Sequence, residues 1–198
     1  MSKFATVSLL ILSIALFVAT PALAGQSNED KEKQAKANKE RQEIRKTAQG
    51  ILARLYKAQP SAKAVIGKAA GYAVFSNFGM KIFVAGSGTG NGLAVDNKTK
   101  KETFMKMVEL QAGLGFGVKK FSLVWVFETP DKLATFINSG WELGGQTSVA
   151  AKAGEKGAAL QGAMPVSQGV WLYQLTETGL ALELTAKGTK YYKNDDLN

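Results

Sequence analysis

The period of the apolar positions changes three times along the chain. Behind Lys3, residues Val7 to Ala19 (VSLLILSIALFVA) form an apolar run, shorter than the roughly 20 residues that cross a bilayer as a helix. Pro21 and the small-residue tripeptide Ala22-Leu23-Ala24 follow, which is the layout of a secretory signal peptide cut after Ala24. An uncleaved membrane anchor is the alternative. Residues 28–43 (NEDKEKQAKANKERQE) are almost wholly polar, with opposite charges at i,i+4 in Glu29/Lys33, Glu32/Lys36 and Lys39/Glu43; they predict a solvated helix or a frayed tail. From Ile44 the period becomes helical and amphipathic. Ile44, Ala48, Ile51, Leu52, Leu55 and Tyr56 make one stripe, with Lys46, Arg54 and Lys57 on the opposite face, and the helix ends before Pro60. That stripe either docks on the domain that follows or dips into a membrane interface. A second short helix is expected from Ser61, as N-cap, to Ala70.

After Gly71 the period is two. Strands are expected at Tyr72–Asn77, Lys81–Gly86, Gly92–Asp96, Thr103–Gly117, Val118–Glu128, Trp141–Ala151, Ala158–Met164, Gly169–Leu175, Leu180–Ala186 and Thr189–Lys193, with turn residues at Asp96 to Lys100 and at Glu177-Thr178-Gly179. One helix interrupts them. Thr129 is placed as its N-cap, Pro130 opens it, Leu133, Phe136 and Ile137 form its apolar face, and Gly140 stops it. The pattern predicts an α+β fold: N-terminal helices packed on a glycine-rich, antiparallel, barrel-like sheet, closed or nearly so, with one inserted short helix. The boundaries follow as 1–24 signal, 25–59 polar then amphipathic basic helix, and 60–198 barrel domain.

Composition sharpens this. The 198 residues include 21 glycines and neither cysteine nor histidine, against an average of roughly 14 glycines at this length. Nineteen of them lie between Gly67 and Gly188. In Gly86 to Gly92 and in Gly113 to Gly117 every second residue is glycine, so two extended segments each present a face without side chains. Such faces permit sharp coiling, close approach of another layer, or a ligand groove. A phosphate-binding loop has the wrong context, because Leu93 to Asn97 continue as strand and turn instead of opening a helix. The apolar strand Phe121 to Phe127 is central or lipid-exposed, and a small outer-membrane barrel is the runner-up architecture. Most expected strands are too short for it.

The missing residue types narrow the chemistry. There is no thiolate, no disulfide and no imidazole base or ligand. Glu128, Glu142 and Glu183 are too scattered to read as an acid/base pair. No catalytic residue, metal ligand or cofactor is predicted. The net charge is +9, and residues 27–59 alone carry nine basic and five acidic side chains. A basic chain outside the cytoplasm meets anionic lipid or cell-wall polymer sooner than nucleic acid.

From about Ala48 to Lys193 the chain resembles the SYLF domain family. The resemblance lies in Gly71-Tyr72-Ala73-Val74-Phe75 with Asn77 and Gly79, the glycine stripe Gly86 to Gly92, Gln111 to Gly115, Phe127-Glu128-Thr129 with the Leu133 to Ile137 helix, Gly140-Trp141-Glu142-Leu143-Gly144, and Gly179-Leu180-Ala181. Ser76 replaces the proline that commonly follows the G-x-x-V-F segment. The resemblance implies a non-enzymatic binder of acidic lipids, to which a basic amphipathic N-terminal helix contributes. Some members bind actin. For an exported bacterial chain the implied partner is an anionic phospholipid surface, and the protein would be periplasmic or secreted and membrane-associated, with its protein partner unidentified. The candidate lipid-binding residues are Lys46, Arg54 and Lys57 on the helix and Lys63, Lys68, Lys119 and Lys120 on the domain. A structural or protein-partner domain of the periplasm is the alternative.

Overall fold

Residues 22–78, 87–110, 121–143, 162–181 and 189–198 are described by a computed structural model. The chain divides into two units, Met1–Ala35 and Lys36–Asn198. In the first, residues 22–35 are helical, and Asn28 to Ala35 are exposed. They begin helix α1 (Ala22–Ala58), so the polar segment is a solvated helix and not a frayed tail.

The second unit is an antiparallel sheet between helices. Its strands are β1 (Gly71–Phe78), β2 (Ser87–Asp96), β3 (Glu102–Leu110), β4 (Ser122–Phe127), β5 (Trp141–Leu143), β6 (Met164–Ser167), β7 (Val170–Thr176), β8 (Gly179–Ala181) and β9 (Thr189–Lys193), in the order β5-β9-β3-β2-β1-β4-β7-β6, with β8 also pairing β7. Among the described residues β5 and β6 do not pair with each other, so the sheet is a curled half-barrel and not a closed one. Helices α2 (Ser61–Lys68) and α3 (Pro130–Ser139) complete the order.

Strand alternation divides the core into two layers. On one face Ala73, Phe75, Leu123, Trp125, Phe127 and Leu172 pack with Leu133 and Phe136 of α3. Aromatic rings fill this layer, with Trp125 at 5.0 Å from Tyr191 and 5.2 Å from Phe136 between centroids. On the other face Val74, Val124, Val126, Trp171 and Tyr173 pack with Ile44, Ala48, Ile51 and Leu55 of α1 and Ala62 and Ile66 of α2. Every residue of β4 is buried, because β1 and β7 flank it and helices cover both faces. Its apolar character is that of a central strand, which removes the reason for reading it as lipid-exposed. No helix among the described residues is long and apolar enough to cross a membrane.

Several expected boundaries move. Residues 87–92 of the glycine stripe are part of β2, which begins at Ser87 and not Gly92. Its bare side is filled: a Cβ on Gly92 would lie on the Phe75 ring, and one on Gly90 would meet the Ser76 carbonyl and the Met107 methyl. At Gly90 and Gly92 that side is therefore a packing surface and not a ligand groove. Helix α2 starts at Ser61 itself, because Pro60 already has helical angles (φ −58°, ψ −33°), so Ser61 is not its N-cap. Thr129 stands at the N-cap of α3 with no side-chain capping bond. Strand β6 starts where Ala158–Met164 was expected to end, after Gly162 at φ +77°. The expected strand Lys81–Gly86 and the second glycine stripe lie outside the described residues.

Candidate functional site

The apolar stripe of α1 is spent on the sheet. Ile44, Ala48, Ile51 and Leu55 are buried, and Leu52 and Tyr56 are half-buried. All three arginines of the helix reach back to the domain. Arg41 Nε donates to the Leu197 carbonyl at 2.8 Å, Arg45 Nε to Glu102 Oε2 at 2.6 Å, and Arg54 Nη2 to the Thr176 carbonyl at 2.7 Å. The Arg45 guanidinium also lies 5.1 Å from the Phe104 ring centre, a cation–π geometry. Arg54 is thus a tie between α1 and the β7–β8 hairpin, a role its sequence position did not suggest. Lys46 and Lys57 are exposed.

A groove of about 480 Å³ runs between α1 and the ends of β1 and β2, within the size range of ligand pockets. Ile44, Ala48, Ile51 and Val74 line its apolar part; Lys36, Lys39, Glu40 and Glu43 line its polar part. Asn91 Nδ2 donates to Glu40 Oε1 at 3.3 Å across it. Two lysines and two glutamates balance, so the groove alone favours neither sign of ligand. Val74 and Asn91 carry no signal in the sequence, since only strand register sets them opposite the helix.

On α2, Lys63 and Lys68 are exposed. Lys119 and Lys120 lie outside the described residues. The turn between β2 and β3 is held against the C-terminus of α2, because Asn97 Nδ2 donates to the Ile66 carbonyl at 2.6 Å and the Ala69 carbonyl at 2.9 Å. This also ends α2 at Lys68, two residues before the expected Ala70, with Ala69 extended (ψ 160°). The contact sets Lys68 beside a turn that carries Lys98, Lys100 and Lys101, all exposed. The expected hairpin turn is observed, and its lysines are the candidate functional residues that the strand period does not single out. Three lysines in four residues were the available signal.

Glu128 Oε1 accepts the Trp171 indole N–H at 2.7 Å. Glu142 is exposed on β5, and Glu183 lies outside the described residues. Among the described residues no group of three or more acidic, cysteine or histidine side chains could hold a metal. Three phenols gather on the α1 face, Tyr173 buried and Tyr56 and Tyr72 half-buried. Burial pushes Tyr173 above the ordinary tyrosine value. Tyr72 is raised by burial and then by the Glu102 carboxylate, and Tyr56 by burial and then by Tyr72.

In class this is an α+β half-barrel with helices on both faces of its sheet. Residues 108–198 match the Ysc84 family model, described as a Las17-binding protein actin regulator. Beta cell expansion factor A from Aeromonas veronii is 36% identical over 154 residues, which make up 78% of this chain and 57% of that protein. Residues 108–198 thus match the SYLF (Ysc84) domain family, and this relative is a SYLF-domain protein. The family match begins within β3, so the Gly71 to Phe75 segment and the first glycine stripe precede the matched span.

Proposed function

We propose that this chain is an exported, non-enzymatic module of the cell envelope that binds anionic phospholipid surfaces. The observation that carries the proposal is a division of labour among its cations. The arginines of α1 are engaged with the domain, whereas Lys46 and Lys57 of α1 and Lys63 and Lys68 of α2 are exposed and make no ion pair among the described residues. Lysines so placed suit an anionic leaflet, each contributing about 1 kcal/mol near the surface. The family match over residues 108–198 supports a binding role over catalysis. Export with removal of residues 1–24 belongs to the same proposal, as does a periplasmic or secreted location. A protein-partner role is the second reading. It is favoured by the burial of the α1 stripe and by the family's description as a Las17-binding regulator.

Co-sedimentation of the exported form with phosphatidylglycerol/phosphatidylethanolamine vesicles tests the proposal. Binding at low ionic strength is expected, weakening as salt shortens the Debye length to about 8 Å at physiological strength, with none to phosphatidylcholine. A protein that stays in the supernatant with anionic vesicles at low salt overturns it in favour of the second reading.

A further inference from the structure

We infer that the anionic surface is met by the end of the sheet where the β2–β3 turn stands against α2, with α1 remaining docked. The inference rests on the phospholipid-binding proposal and adds which face is used.

The turn is rigidly built. The Asp96 carboxylate accepts the N–H groups of Lys98 at 2.9 Å and Thr99 at 2.7 Å, and these bonds, that from Thr99 first, hold its pKa below the ordinary aspartate value. Lys100 N–H donates to the Asp96 carbonyl at 2.8 Å, and Asp96 N–H to the Lys101 carbonyl at 3.0 Å. The Asn97 N–H donates to the Ala70 carbonyl at 2.9 Å, beside the two bonds of its side chain to α2. The lysine stems are free while their backbone is not, so little backbone ordering is lost on binding.

Three of the four acidic groups near this end are engaged. Asp96 is turned onto the turn amides, Glu102 is paired with Arg45, and Glu128 is bonded to Trp171. Asp131 is exposed next to Lys132 in the first turn of α3. Lys68, Lys98, Lys100 and Lys101 are exposed at this end and make no ion pair among the described residues, so positive charge is in excess there. The C-terminal carbonyls of Ile66 and Ala69 do not offset them, because Asn97 occupies both.

The shape of the site selects the partner. A turn tip and a helix end are convex, and Asp96 to Lys101 include no apolar or aromatic side chain. A bound peptide needs a groove or a sheet edge, and a single-stranded nucleic acid needs stacking rings. A fluid anionic headgroup layer needs neither. Lysine suits it better than arginine, being a compact, hydrated charge on a flexible stem with no fixed geometry to satisfy.

The test compares two sets of substitutions in the exported form on vesicles of phosphatidylglycerol and phosphatidylethanolamine. Lys98→Gln, Lys100→Gln and Lys101→Gln together should weaken binding about 100-fold at low salt, from about 1 kcal/mol per lysine. Lys190→Gln, at an exposed position of β9 paired with Val108 away from the turn, should change it little. A melting curve confirms that each variant is folded. In the unsubstituted protein, vesicles should slow amide exchange at Lys98 to Lys101 and leave Ile44 to Tyr56 as protected as in solution; this readout needs no variant. If the turn variant binds like the parent, or if vesicles expose the amides of Ile44 to Tyr56, the inference fails while the lipid proposal stands. If the parent does not bind the vesicles, the lipid proposal itself fails.

Discussion

At the scale of single residues, the fold depends on a few close approaches whose partners are far apart in sequence. Gly92 pairs with Phe75 across β1 and β2, and the ring lies where a side chain on residue 92 would stand. The alternation of glycines in the sequence implied a bare face, but not that a phenylalanine two strands' length away in the chain would fill it. Gly140 has a different requirement: it stops α3 at φ +73° against the Tyr191 carbonyl, and here the sequence position alone was informative. Gly92→Ala is expected to cost about 1–3 kcal/mol, the usual penalty of overpacking a filled core. Equilibrium urea unfolding measures it, and an unchanged midpoint would mean that the Phe75 ring yields freely.

Among the elements, α1 joins a soluble surface to a core. Its helical period and its end near Pro60 were legible, and so was the pair of fates open to its stripe. Which fate applies depends on contacts: the stripe lies on Val74, Val124, Val126 and Tyr173, and three arginines fasten it at separate points. Leu55 is fully buried there. Leu55→Ala should therefore cost about 2–5 kcal/mol, through lost burial plus the cavity left behind. A helix only loosely laid on the sheet would show a loss well below that range in the same urea assay. For the same reason the domain is expected to need residues 36–58 to fold. α2 and β6 show why boundaries are harder than elements. Each shifted where one backbone angle, at Pro60 or Gly162, or one side chain, Asn97, decided the local path.

For the whole molecule, the α1 face collects three phenols, Tyr56, Tyr72 and Tyr173, whose ionisation burial opposes. Their folded pKa values are raised above the unfolded value of 10.0. The unfolded chain therefore loses these protons first as pH rises. The stability they contribute is fully present below pH 10 and is lost as pH climbs through the folded values. Urea midpoints should hold steady up to about pH 9 and then fall, in step with delayed tyrosinate absorbance in the folded protein. Tyrosinate appearing at the ordinary value with no fall in the midpoint would contradict the burial of these rings.

By itself the sequence determined the element types, their approximate order, the α+β class, the family resemblance and the excess of positive charge, because all of these follow from local period, turn residues and composition. Only the tertiary structure decided that the sheet stays open among the described residues, that the glycine face is packed at Gly90 and Gly92, that Arg54 is a tie, and that the turn lysines stand with Lys68. Each of those depends on strand register or on a hydrogen bond between residues distant in the chain, and side chains brought together by long-range pairing leave no periodic trace along it.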